Sequence, residues 1–354
     1  MPLTTVSQGL LSTDAQYTGF KNRVINGDMQ IDQRNNGASV NANSSTSPYT
    51  TDRFNVNVGG SSAVIACQQI SDAPAGFVNS LRLTVSTAAT PSSSQFLFLR
   101  QVIEGFNIAD FAWGTANAAT VTLSFWVKAS IAGTYSAFAI NSSEDRSYVA
   151  TFTVSATNTW EYKTITIPGD TTGTWLTNNS NGIRLGFDLG SGSNFNGTAN
   201  AWQSGWEQRT SGTVNWVGTS GATFQVTGVQ LEKGTVATSF DYLPYDTKLA
   251  LCERYCQRGS NNMIMSMITS TLGLIEWAQC VQFRATPTAI GPTTTYVENL
   301  PWNAVGSATG VTFNMGHMSP RGGDIGVFGT YTPTPAYGNT WLIDAKDLIL
   351  SAEL

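Results

Sequence analysis

One histidine stands in the whole 354-residue chain, which narrows the acid–base chemistry open to it. His317 lies in FNMGHMSPRGG, a glycine-rich loop signature, so a Ser-His-Asp triad would have to be built on a loop residue. Two carboxylates can hydrolyse a glycosidic bond without an imidazole when they face each other across a cleft. Glu104, Glu144, Asp145, Glu161 and Asp188 are the candidates, yet nothing in their spacing sets two of them face to face. Glu144-Asp145-Arg146 reads as a turn between strands. GxSxG, P-loop, GxGxxG, HExxH and EF-hand signatures are absent. The sequence therefore assigns no catalytic residue, and the expectation is a protein that is not an enzyme.

Metal chemistry is equally thin. The four cysteines are Cys67, Cys252, Cys256 and Cys280, with no CxxC pair and no disulfide framework. Cys252 and Cys256 are four apart, a spacing that could hold a metal, but other ligands are scarce and they read as buried apolar fillers. No metal and no cofactor are expected. Sugar binding is better provided for, because aromatic faces stack on sugar rings and arginine pairs with anionic groups. Trp202, Trp206 and Trp216 crowd the long 190–221 segment, where they could stack on sugars, cap an open end of a core, or bury against a neighbouring subunit. Trp302, His317, Arg321 and Tyr337 are further candidates for glycan or receptor binding toward the C-terminus.

Short strands must position these residues. SLRLTV (80–85), FLFLRQV (96–102), TVTLSFWVK (120–128), VATFTV (149–154), WEYKTITI (160–167), GIRLGFDL (182–189) and TFQVTGVQL (223–231) recur between Gly, Asn, Ser and Pro punctuation, the pattern of a sandwich or jelly roll. In TVTLSFWVK, Val121, Leu123, Phe125 and Val127 share one face, while Thr122, Ser124, Trp126 and Lys128 share the other. Trp126 is the exception on that wetter face. One helix is expected from about 246 to 258 (DTKLALCERYCQR), with Asp246 as N-cap and Gly259 as stop. Leu249, Cys252, Tyr255 and Cys256 recur at three and four to form its apolar stripe.

Charged residues make up 12% of the chain, against about 25% in an ordinary globular protein. Formal net charge is −5 with no basic run, which argues against nucleic acid as a partner. No apolar run reaches the roughly 20 residues of a membrane helix, and the N-terminus lacks the layout of a secretory signal, so no membrane insertion is expected. The expected fold is all-β: an N-terminal arm (1–20), a jelly-roll β-sandwich (21–243), a short connecting helix (244–260) and a smaller, sandwich-like C-terminal β domain (261–354). No internal period links the two β domains.

Several stretches carry a resemblance, among them GFKNRVINGDMQIDQRNNGASV, YTTDRFNV, APAGFVNSLRLTV, QVIEGFNIADFAWGTANAATVTLSFWVKAS, GATFQVTGVQLEKGTVATSF and the closing SAEL. From residue 19 to about 258 the chain resembles bacteriophage tail-fibre proteins with a jelly roll like that of carbohydrate-binding modules. The resemblance implies a virion tail fibre or receptor-binding protein: a homotrimer assembled in the host cytoplasm, joined to tail or baseplate proteins by its arm. It implies recognition of host cell-surface polysaccharide or lipopolysaccharide, with the helix stripe (Leu249, Cys252, Tyr255, Cys256) as a subunit contact. A monomeric lectin module, a glycan-degrading tail enzyme and a purely structural virion part are the alternatives. In the broader group of sugar-binding jelly rolls, an NGDFE phrase on the first strand and a DDV-like phrase on a late strand hold a structural calcium. Here Gln30 stands at the Glu position and Thr227-Gly228-Val229 at the other, so the resemblance implies the Asn26-Gly27-Asp28 turn without the ion. Gly27 is expected at positive φ, and Arg34 beside Asp32, Asp52 or a strand-end carbonyl.

Overall fold

The computed structural model describes residues 20–259, 263–277, 281–291, 294–300, 304–314, 323–332, 340–343 and 348–354. The chain divides into two compact units between Pro244 and Tyr245. The expected 1–20 arm lies outside the described residues up to position 19.

In the first unit the strands are β1 (Val40–Ala42), β2 (Tyr49–Thr51), β3 (Phe54–Gly59), β4 (Val64–Ile70), β5 (Ser80–Thr87), β6 (Phe96–Glu104), β7 (Val121–Ala129), β8 (Gly133–Ile140), β9 (Arg146–Val154), β10 (Glu161–Ile167), β11 (Asn181–Asp188), β12 (Ala201–Ser204) and β13 (Thr223–Lys233). They form a six-stranded sheet, β1-β4-β5-β13-β7-β10, and a seven-stranded sheet, β12-β9-β8-β11-β6-β3-β2. Both are antiparallel, and their inner faces share one core. This is the β-sandwich of jelly-roll type that the alternating pattern predicted.

Alternation builds that core directly. Val121, Leu123, Phe125 and Val127 of β7 are completely buried, facing Leu99 of β6 and Leu185 and Phe187 of β11. Phe125 packs edge-on against Phe187 at 4.8 Å and against Phe152 of β9 at 5.0 Å. Each such ring contributes about 1.5–3 kcal/mol by burial, so cutting Phe125 to alanine would cost about 3–5 kcal/mol.

The outer face of β7 is also partly covered, since Thr122 and Ser124 are nearly inaccessible while Trp126 is half-exposed. Sequence alternation alone had left this face wet. The segment after β13 supplies part of the cover, through Thr238, Ser239, Phe240 and Tyr242.

The NRVING stretch does not begin a strand. Residues 24–28 are a turn, with positive φ at Asn26 (59°) and Met29 (58°). Gly27 is not in the left-handed region, against expectation. It is glycine because a Cβ there would lie 2.0 Å from the Val229 carbonyl oxygen. Asn26 locks the turn by donating to the Ile31 and Asp52 carbonyls at 2.8 and 3.0 Å and accepting from Ile31 N–H at 2.9 Å. Arg34 Nη1 lies 3.8 Å from Asp52, and its guanidinium stacks over Tyr49 at 4.7 Å.

The second unit begins with α1 (Tyr245–Glu253). Its strands are β14 (Cys256–Arg258), β15 (Met263–Met267), β16 (Leu272–Trp277), β17 (Thr288–Ile290), β18 (Thr294–Leu300), β19 (Ala304–Asn314), β20 (Gly323–Thr332), β21 (Thr340–Ile343) and β22 (Ile349–Ser351). The order β15-β16-β20-β19-β18-β21 closes into a barrel, and β14-β22-β17 form a small sheet. The β content is as expected, but the form is a closed barrel and not a sandwich. Closure removes the open edges that two small sheets would expose.

The helix is shorter than its periodicity predicted. It starts one residue before Asp246 and ends at Glu253, and Cys256–Arg258 pairs instead with β22, Cys256 opposite Ser351. Ladder bonds to the far end of the chain replace the last helical turn. Cys252, Tyr255 and Cys256 are completely buried within the single chain, so these three do not present the outward stripe expected as a subunit contact. Leu249 of α1 is half-buried.

Candidate functional site

The outer face of the six-stranded sheet carries an open cleft of about 480 Å³, within the size range of small-molecule sites. Its floor is β7 and β10. Register sets Tyr162 directly opposite Trp126, and their rings lie 5.4 Å apart at 48°. Ser124, two residues before Trp126 on the same face, lies at the base of the cleft and is nearly inaccessible.

The wall comes from two segments far apart in sequence. Phe77, ahead of β5, meets Phe240 at 5.1 Å and Tyr242 at 5.6 Å, and those two meet each other at 5.0 Å. Tyr242 Oη donates to the Gly76 carbonyl at 3.0 Å. Thr238 and Ser239 line the same wall. Buried Glu232 at the end of β13 anchors it, accepting from Thr238 N–H at 2.8 Å and from the Thr238 hydroxyl at 2.5 Å. Asp241 N–H donates to Gln230 Oε1 at 2.8 Å.

A bulge in β13 makes room for these rings. Pairing with β7 slips between Thr227 (opposite Trp126) and Gln230 (opposite Ser124), and Gly228 takes φ +61°. A Cβ on Gly228 would sit 2.7 Å from Phe77 Cζ and 3.2 Å from Trp126 Cδ1. Only glycine allows the two rings so close to the strand. Tyr162 and Tyr242 remain 44% and 56% exposed, so their faces are available to a ligand. Burial and the nearby Asp28 charge raise the Tyr242 hydroxyl above its usual pKa, keeping it a neutral donor. The lining combines aromatic faces with hydroxyls and holds no charged side chain. Such a surface can stack on the C–H face of a sugar and bond its hydroxyls; it offers nothing to transfer a proton at neutral pH.

Just beyond, Asp72 accepts from Lys128 Nζ at 2.8 Å and from Trp160 Nε1 at 3.4 Å. The Lys128 bond leads in holding its carboxyl below the usual range.

The described tryptophans among the sequence-predicted residues lie elsewhere. Trp216 is completely buried. Trp202 packs against Trp113, Trp175 and Tyr148 at 5.1–5.4 Å and donates to the Pro168 carbonyl at 2.8 Å. Trp206 joins a different ring cluster, with Phe96 and Phe195 at 5.2 Å. The two are thus sheet-covering residues in separate places, not one stacking platform. Trp302, His317, Arg321 and Tyr337 lie outside the described residues, as does Cys280.

The carboxylate candidates have separate partners: Glu144 with Arg184, Asp145 with Asn141, Glu161 with Lys163, and Asp188 with Arg209. Glu104 is buried opposite Asn181. Asp188 is completely enclosed, and burial pushes its pKa up to about 6 despite Arg209 and the Gly190 and Ser191 N–H groups. It stands beside a polar hollow of about 340 Å³ in the 190–215 segment. There Arg209 bonds the Ser191 carbonyl and Thr213, holding the loop closed on itself.

The Asn26-Gly27-Asp28 turn is tied to β13 by hydrogen bonds. The Gly27 carbonyl accepts from Val229 N–H at 2.9 Å, and the Val229 carbonyl accepts from Asn22 Nδ2 at 3.0 Å. Among the described residues, no three His, Cys, Asp or Glu side chains converge as a metal site.

No family model matches the chain, and no curated protein matches it. Solved structures similar to it include the enzymatically active domain of tailspike protein 4 of bacteriophage CBA120, at 13% identity and a TM-score of 0.32. That likeness covers 60% of this chain but only 22% of the tailspike chain. A CBM4 structure is similar at 14% identity and a TM-score of 0.30, over 58% of this chain and 100% of its own. The family 11 carbohydrate-binding module of a cellulosomal cellulase of Clostridium thermocellum follows at 14% and 0.28, over 53% and 91%. At such identities and TM-scores no residue role passes from them to this chain.

Proposed function

We propose that the first unit binds an uncharged stretch of saccharide in the cleft between Trp126, Tyr162 and the Phe77–Tyr242 wall. The single observation that carries this is the cleft's composition: exposed ring faces interleaved with hydroxyls and no charged side chain. Buried acid–base groups lie outside it, so the reading is binding and not turnover. With the sequence resemblance, the biological role inferred is that of a virion tail fibre or receptor-binding protein. It would be a homotrimer, assembled in the host cytoplasm, joined to tail or baseplate proteins and adsorbing to host surface polysaccharide or lipopolysaccharide. Among the described residues, no helix is long and apolar enough to cross a membrane.

Shallow sites suit such a role. A millimolar sugar contact is worth about 4 kcal/mol, and linked copies raise avidity by roughly 10² to 10⁴. The test is retention of the purified full chain on an array of bacterial surface glycans, beside a Trp126→Ala variant. Retention of neutral saccharides that is lost in the variant, with unfolding still cooperative, supports the reading. Equal retention of both proteins, or of neither, sinks it. Light scattering tests the trimer: three times the 37.8 kDa chain mass is expected, and a monomer at micromolar concentration points to a lone lectin.

A further inference from the structure

The seven-stranded sheet has an outer face of its own, and two of the chain's 18 cationic residues meet there. Arg100 of β6 is paired with Gly186 of β11, and Arg184 of β11 with Val102 of β6. The two arginines are therefore diagonal neighbours on one face. On its other side Arg100 is paired with Asn55 of β3. The Phe138 ring fills the space beside Gly186: a Cβ there would lie 2.5 Å from Phe138 Cζ and 3.0 Å from Arg100 Cβ.

Their surroundings differ. Arg184 is held by Glu144 and by the Ser142 carbonyl at 3.5 Å. Arg100 rests its guanidinium over the Phe98 ring at 5.2 Å, and its Nε is buried with no hydrogen-bond partner. Among the described residues it makes no hydrogen bond or ion pair. Burial lowers the pKa of both, and the charge of Arg100 helps bring Arg184 down to about 10. An unpaired, half-buried cation next to a like charge costs stability unless something else pairs with it. With Nε sealed, the two Nη groups of Arg100 are the part an anion can reach, and such a pair of N–H donors can receive two oxygens of one anion.

We propose that Arg100 and Arg184 form an oxyanion subsite that receives the carboxylate or phosphate group of an acidic glycan. The site is separate from the aromatic cleft, on the other sheet, and rests on the glycan reading only for the saccharide that carries the anion. It gives the chain two modes of contact: neutral sugar faces on one sheet and an acidic substituent on the other.

Affinity electrophoresis of the full chain tests it in gels containing polygalacturonate, its methyl-esterified uncharged form, or a phosphorylated mannan. Arg100→Met should weaken retardation by an acidic polymer about tenfold or more, leaving the uncharged form unaffected. Loss on polygalacturonate alone identifies a carboxylate as the anion, and loss on the mannan alone identifies phosphate. Arg100→Lys, which keeps charge but not the fork, should fall between. Because Arg100 makes no hydrogen bond or ion pair among the described residues, and methionine keeps an apolar stem over the Phe98 ring, Arg100→Met should melt no lower than the parent. A melting point several degrees lower, or unchanged retardation in both acidic gels, overturns the proposal. Inorganic phosphate separates this proposal from the glycan reading. If it raises the melting point of the parent but not of Arg100→Met while no polymer retards either protein, the subsite stands and the glycan reading falls. If neutral glycans bind through Trp126 and the acidic polymers ignore Arg100, the reading stands and the subsite falls.

Discussion

Adding one methyl group at Gly228 tests whether the bulge shapes the cleft. Gly228→Ala places a Cβ 2.7 Å from Phe77 Cζ, 3.0 Å from Phe77 Cε1 and 3.2 Å from Trp126 Cδ1. The backbone there has φ +61°, and an L-residue in that region costs about 1–2 kcal/mol. The Phe77 ring must then move, and it is wedged against Phe240 and Tyr242. Loosening these two aromatic contacts costs roughly another 1–2 kcal/mol. The sum is about 3 kcal/mol, or a fall of roughly 6–12 °C in melting temperature for a unit of this size. Gly221→Ala is the control: its φ is +77° and a Cβ would meet nothing within 4 Å, so it should carry the backbone cost of about 1–2 kcal/mol alone. Scanning calorimetry of both variants isolates the ring term as their difference. Glycan retention should fall in Gly228→Ala and persist in Gly221→Ala. Equal melting points for the two variants would refute the argument that Gly228 is there to admit the rings.

Tyr162→Ala removes a ring that is 44% exposed, so stability should drop by no more than about 1 kcal/mol while saccharide affinity falls roughly tenfold by titration calorimetry. Phe106 is 59% exposed and does not line the cleft, so Phe106→Ala should leave that affinity unchanged. Gly27→Ala drives a Cβ to 2.0 Å from the Val229 carbonyl, a backbone atom that cannot swing aside; a loss of about 3 kcal/mol or more is expected in urea unfolding. Asp188 has a folded pKa of about 6, above its ordinary 3.8, so its proton is held more tightly in the folded state. Its contribution is fully present below about pH 4 and is lost as pH rises through 6, about 3 kcal/mol in all. Urea unfolding at pH 4 and pH 7 should show that difference shrinking by about this amount in Asp188→Asn, and an unchanged difference would contradict the burial argument. Asp170, almost fully enclosed, takes both Arg146 Nε and Nη2 at 2.9 and 2.8 Å and Trp175 Nε1 at 3.1 Å. Asp170→Asn should therefore cost about 2–4 kcal/mol in the same assay, given that Arg146 is partly solvated.

Strands were the legible part of this chain because a period of two is written locally. The stretches read at 80–85, 96–102, 120–128, 149–154, 160–167, 182–189 and 223–231 all fall on β5, β6, β7, β9, β10, β11 and β13. The helix was overextended because a stripe at three and four cannot announce that Cys256–Arg258 will pair with a strand about 90 residues later. For the tryptophans of the 190–221 segment the sequence left stacking, capping and subunit contact open, because a loop assignment leaves burial undetermined; in the structure Trp216 is wholly inside and Trp202 and Trp206 pack on other rings. The cleft itself had one local signal, the misfit of Trp126 on the polar side of TVTLSFWVK. Its remaining rings come from Phe77, Tyr162, Phe240 and Tyr242, which no local pattern brings together.

The turn that carries the family-like phrase and the cleft are parts of one arrangement. The Gly27 carbonyl receives Val229 N–H, and the missing Cβ of Gly27 lets the Val229 carbonyl approach and be held by Asn22 Nδ2. Val229 therefore bonds to the turn while Thr227 and Gln230 remain opposite Trp126 and Ser124. One residue too many lies between those two pairs, and Gly228 absorbs it in the left-handed region. That same glycine leaves the space into which Phe77 and Trp126 converge. Asn26-Gly27-Asp28 thus pins the bulge, and the bulge sets the floor on which the aromatic wall stands.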